Sequence, residues 1–186
     1  SRGLGDVYKR QRFSRDMFLL SFYLRGIPFV DLVHLRKTDV KHNTIYYYRH
    51  KTRQQLSVHI ESYAAQIINR YKNEAASSPY LLLILSLTGE DGYRQYKSAL
   101  RLYNQHLHTL SKMLRLSIPL TSYVARHSWA TTAKDEGVAI SVISESLGHT
   151  SEKVTHVYLA SFDNNAMSKA NKKVIATIHP NKKKKP

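Results

Sequence analysis

The chain of 186 residues is long enough to bury one substantial core, and its 42% hydrophobic content suits a single globular domain. It carries 29 Lys and Arg against 13 Asp and Glu, a formal net charge of +16, so a polyanionic partner is expected; the four lysines at 182–185 supply only a quarter of that charge. The absence of cysteine excludes disulfides, thiolate metal sites and thiol nucleophiles, and the longest apolar run, "YLLLILSL" at 80–87, is too short to span a membrane.

Residues 1–12 are polar and basic with two glycines and read as the end of a linker. The chain starts at Ser1 rather than Met, without a signal-peptide pattern, which suggests a fragment of a longer protein. A domain over 13–178 and a basic tail over 179–186 follow. "RDMFLLSFYL" at 15–24 is apolar enough for a buried helix; Gly26 and Pro28 interrupt it before "FVDLVHLRKTDV" at 29–40 resumes helical apolar spacing. "TIYYYRHKTRQQLSVHI" at 44–60 has β-forming residues on either side of a polar stretch, the pattern of a hairpin with Lys51 near its tip. Helices are expected at 61–75, 93–116, 121–137, 140–147, 151–159 and 163–177. The fold class is therefore mainly α with a small antiparallel β-sheet (α+β), without internal repeats.

Three segments carry the chemistry: "YVARHSWAT" at 123–131, "ISESLGHTSEKVTHVYL" at 143–159 and the Lys51 hairpin. Gly148 terminates a helix and so places His149 at a helix end, and Tyr158 is expected to share a helical face with Val154 and Val157. A phenol with a pKa near 10 attacks a phosphate only if a base takes its proton and cations stabilise the phosphorane. Guanidiniums are suited to the second task because they stay charged in a dry site and donate to two oxygens at once. A general acid, for which a hairpin lysine is suitable, must protonate the leaving 5′ oxygen. Singly, each feature has a plainer reading: Tyr158 is one of 13 tyrosines, Lys51 a solvated turn charge, His149 a helix-cap residue and Arg25 a partner for Asp31. The "HLH" at 106–108 does not converge on one ion, so no metal site is expected. Tyr46, Tyr47 and Tyr48 read as strand residues.

Taken together, the segments resemble the tyrosine recombinases of the phage-integrase family. "LGHTSEKVTHVY" reproduces the family's third box, in which a tyrosine lies nine residues after the histidine, and "ARHSWAT" reproduces its second box from the arginine onward. The resemblance implies Tyr158 as nucleophile, Arg126 as the second phosphate-clamping arginine, His149 as the third-box histidine and Lys51 as general acid, with Asp31 bracing the site. No cofactor is implied, because the bond energy is kept in a protein–DNA ester.

This sequence departs from the family pattern at two positions. Pro28 stands where the first arginine usually precedes the acidic residue by three, and Arg25 is assigned in its place, one helical turn back. "YLRGIPFVDL" is similar to the variant first box of integrases from mobile elements of the Bacteroides type. Tyr123 stands where His or Lys would precede Arg126 by three, so general-base duty either shifts to His149 or lapses; His127 is expected to point elsewhere. The family implies double-stranded DNA as partner, a homotetramer on DNA with 162–178 docking in trans, a fragment monomeric alone, and a cytoplasmic, nucleoid-associated location. The linker at 1–12 would join a missing N-terminal DNA-binding domain. Two rival readings are a type IB topoisomerase-like nicking-closing enzyme and a catalytically impaired DNA-binding module.

Overall fold

The apolar run at 15–24 forms the C-terminal half of helix α1 (Arg2–Tyr23), the helix around which the molecule is built. In the computed structural model, which describes residues 2–161 and 164–179, Met17, Phe18, Leu19 and Leu20 are all fully buried. Four successive buried residues leave no face of this stretch of the helix for solvent, and α1 packs against α3 (Ser62–Arg70), α4 (Gly89–Met113), α5 (Val124–Asp135) and α8 (Asn164–Ala176). Residues 2–12, read above as linker, are helical and continue α1 toward the N-terminus.

α1 ends where Arg25 and Gly26 both take left-handed conformations, φ 58° and 70°, and the Gly26 amide bonds back to the Ser21 carbonyl at 2.8 Å. Helix α2 (Phe29–His34) follows Pro28 but stops well short of the helix expected through Val40. Asp39 is the reason: its Oδ2 accepts the Arg36 amide at 2.7 Å, closing a capping box around a 3-10 turn at Lys37–Asp39, and the chain leaves it extended. Val40–Lys41 then forms a short strand β1, not anticipated from the sequence, which turns through left-handed His42 and Asn43 into β2 (Thr44–Tyr48). With β3 (Gln55–His59) these make a three-stranded antiparallel sheet in the order β1-β2-β3. Ile45 pairs with Val58 on the buried face, and Tyr46 and Tyr48 point to solvent.

On α4, Tyr103, Leu107 and Leu110 recur at helical spacing and supply its buried face. A second, smaller apolar cluster of Ala130, Ile143, Leu147 and Leu159 ties α5 to α6 (Ile140–Leu147) and α7 (Glu152–Ala160), with Tyr158 packed at its edge. α8 packs in cis on α5, burying Met167, Ala170 and Val174. The basic tail from residue 180 lies outside the described residues, among which no helix is long and apolar enough to cross a membrane.

Candidate active site

Arg126 lies in the first turn of α5, on its buried face, with 3% of its surface exposed. Its Nη1 donates to the Gly26 carbonyl at 2.9 Å and its Nη2 to the Leu147 carbonyl at 2.6 Å, so one guanidinium joins the end of α1 to the end of α6. An amphipathic helix tolerates the charge because backbone carbonyls replace its water. Gly26 makes this approach possible: a Cβ there would lie 2.8 Å from the Arg126 Cα.

His149 follows the left-handed cap Gly148, φ 62°, where α6 ends. Its Nε2 lies 3.4 Å from Arg126 Nη2, which can only donate, so Nε2 carries the lone pair. Nδ1 therefore bears the hydrogen and donates to Thr155 Oγ1 at 2.9 Å. Burial first, then the charges of Arg126, Arg49 and Lys51, hold the imidazole down to about 4, so it is neutral at pH 7.

Tyr158 stands between two imidazoles. Its ring stacks on His127 at 4.1 Å and 21°, and meets His149 at 5.4 Å and 74°. His127 thus faces the tyrosine instead of pointing away, and burial, then Arg126, lowers it to about 4. Burial pushes the Tyr158 phenol up, against the charge of Arg126 and a hydrogen bond from it, which pull it down. The expected grouping of Tyr158 with Val154 and Val157 does not hold: those valines are exposed, and the face α7 buries is Thr155 and Leu159, four residues apart.

Lys51 is exposed in the β2–β3 loop, which docks on the end of α6. Thr52 Oγ1 donates to the Gly148 carbonyl at 3.2 Å, and Gln54 Nε2 makes a long contact of 3.5 Å to the His149 carbonyl. Gly148 has no room for a side chain here, since a Cβ would lie 2.9 Å from Arg49 Cγ and 3.1 Å from Leu56 Cδ1. Asp31 ties the base of the loop to α2: Oδ1 accepts the His50 amide at 2.8 Å and Oδ2 accepts Arg49 Nη1 at 3.1 Å.

Arg25 is exposed and lies in the left-handed turn after α1, so the argument from a shared helical face does not apply to it. Tyr123 precedes the first residue of α5, is 62% exposed, and lines with Pro28 and Arg126 a small cleft of about 60 Å³. The residue that the sequence reading missed is Arg49, 6% exposed and buried beside Asp31. Strand alternation was the available signal: Ile45 and Tyr47 point inward along β2, and Arg49 continues that parity.

The two long motifs, the hairpin and Tyr158 thus converge on one charged cleft. The sequence signature of the phage integrase family matches residues 9–165. The chain belongs to the phage integrase family. This integrase-family domain has the fold of a tyrosine recombinase catalytic domain, and three solved structures illustrate it. XerA recombinase superposes with a TM-score of 0.60 at 20% identity, over 94% of this chain and 63% of its own. A lambda integrase dimer bound to a COC′ core site gives 0.58 at 14% identity, over 86% and 58%. The Tn1549 transposon integrase in complex with transposon right end DNA gives 0.57 at 14%, over 87% and 58%. The chain therefore spans about six-tenths of the length of each of these structures. A search of curated proteins gives no match.

Proposed function

We propose that this integrase-family domain is the catalytic part of a site-specific DNA recombinase that cuts and rejoins strands through a 3′-phosphotyrosyl intermediate. The Tyr158 oxygen attacks a backbone phosphorus, the P–O5′ bond breaks, and a 5′-hydroxyl leaves to attack the matching ester on a partner duplex. The phenolic proton passes to His149, whose in-plane lone pair is free of a proton at neutral pH; the stacked ring of His127 offers only its face to the phenol. Lys51 gives a proton to the departing 5′ oxygen, and Arg126 neutralises charge on the phosphorane. The observation that carries this reading is the position of Tyr158, stacked on His127 and edge-on to His149, with Arg126 at its hydroxyl. The "YLRGIPFVDL" segment supports a narrower kinship with integrases of Bacteroides-type mobile elements. On DNA the working form is a tetramer; docking of 162–178 on a neighbour would require α8 to leave its own α5.

The test uses a pool of duplexes with randomised cores, each nicked so that the freed 5′ end diffuses away. Wild-type chain should accumulate a denaturant-resistant adduct whose sequencing gives the cleaved linkage, and Tyr158→Phe should give none. DNA binding without adduct from the wild type would leave only a binding module.

A further inference from the structure

We propose that Arg49, entering from the β2–β3 loop, is the second phosphate-binding guanidinium of this site and takes the place left by Pro28. The inference rests on the reading of Tyr158 as nucleophile. A buried guanidinium ordinarily finds acceptors for its N–H groups, as Arg126 does. Among the described residues Arg49 does not: its side chain makes one hydrogen bond, Nη1 to Asp31, and its Nε is buried with no partner. A donor set left open in a dry cleft is ready for an acceptor that the protein itself does not provide.

Its position is also right. Arg49 Cγ lies against Gly148, and Arg126 bonds the carbonyl of Leu147 and approaches His149, so the two arginine side chains meet around the end of α6, where the charge of Arg49 acts on Arg126. The charge balance points the same way. Arg49 and Arg126 are both more than nine-tenths buried; Asp31, 3% exposed, pairs with Arg49 and acts on Arg126 through its charge alone, while His127 and His149 are neutral. A phosphodiester brings one negative charge and a phosphorane a second, which such a site favours. Arg25, by contrast, is solvated on the rim. Arg49 also precedes Lys51 by two residues, so docking of one loop delivers both the phosphate clamp and the proton donor.

Adduct formation by the full chain on the linkage recovered from the pool tests this. Arg49→Lys and Arg49→Ala should each lose at least a hundredfold in rate, and Arg25→Ala should stay within about threefold of wild type. The second substrate carries a methylphosphonate at the scissile position, which replaces a charged non-bridging oxygen with methyl. Arg49→Ala should cleave it at a rate near that of wild type, because the phosphorane then carries one negative charge, which Arg126 covers, instead of two; a merely structural Arg49 would leave both substrates equally impaired. Absence of adduct from wild type overturns the reading of Tyr158 and this inference with it. Adduct from wild type that Arg49→Ala leaves undiminished, or a loss the methylphosphonate does not recover, overturns the assignment of Arg49 alone.

Discussion

Gly26 and Thr155 show how single side chains, or the lack of one, set Arg126 and His149. An alanine at position 26 would combine a left-handed φ of 70° with a methyl 2.8 Å from the backbone of Arg126, which cannot rotate away. Gly26→Ala should therefore cost about 1–3 kcal/mol in urea unfolding and should slow cleavage by displacing the guanidinium. Thr155 acts on His149 through one bond, Oγ1 to Nδ1 at 2.9 Å. Thr155→Val keeps the volume and removes the acceptor, so the ring loses its fixed tautomer. Single-turnover cleavage should fall roughly tenfold or more with little change in DNA affinity. As the proposed base, His149 would also fix the pH dependence of cleavage. Because its value is lowered to about 4, the proton-accepting form is present throughout pH 5.5–8, and the rate should not drop through the ordinary histidine range near 6.5. A rate profile with an acid limb centred at 6.5 would show that His149 is not the base.

At the scale of elements, the β2–β3 loop is the part whose placement the site depends on most. It is held at its base by Asp31 and at its tip by Thr52 on Gly148. Thr52→Val should cost about 0.5–1.5 kcal/mol of stability, because the Gly148 carbonyl would lose a donor, and should lower cleavage by loosening the loop that carries Lys51. The main elements were legible in the sequence, as were Arg126 and His149 beside Tyr158; His127, expected to point elsewhere, was not. A continuous apolar run marks α1, amphipathic stretches mark α4 and α5, and glycine punctuates α6. What escaped were features fixed by contacts distant in sequence. α2 stops because Asp39 caps a turn; Val40–Lys41 becomes a strand only by pairing with Thr44 and Ile45; and α1 continues through polar residues 2–12. Arg49 escaped for a different reason, since a polar "RHK" stretch reads as a solvated turn until Asp31 is seen beneath it.

At the scale of the whole molecule, the net charge of +16 and the neutral histidines of the cleft make opposite demands on pH. The charge favours phosphate contacts, and DNA affinity should fall with log salt at a slope of about −0.9 per phosphate neutralised. Burying His127 and His149 unprotonated beside Arg126, however, makes the folded state bind protons less readily than the unfolded chain. Their folded values are about 4 against an ordinary 6.5. Below 6.5 the unfolded chain takes up protons that the native cleft refuses, so stability is full above that pH, is lost as pH falls toward 4, and changes no further below 4 on their account. Allowing for partial solvent exposure, the pair should contribute a loss on the order of 2 kcal/mol between pH 7 and 5, read from urea unfolding across that interval. His127→Phe retains the stack on Tyr158 without a titrating group, and should remove about half of the decline. An unfolding free energy that falls equally in both proteins would mean that His127 is protonated in the native cleft, where the charge of Arg126 opposes it.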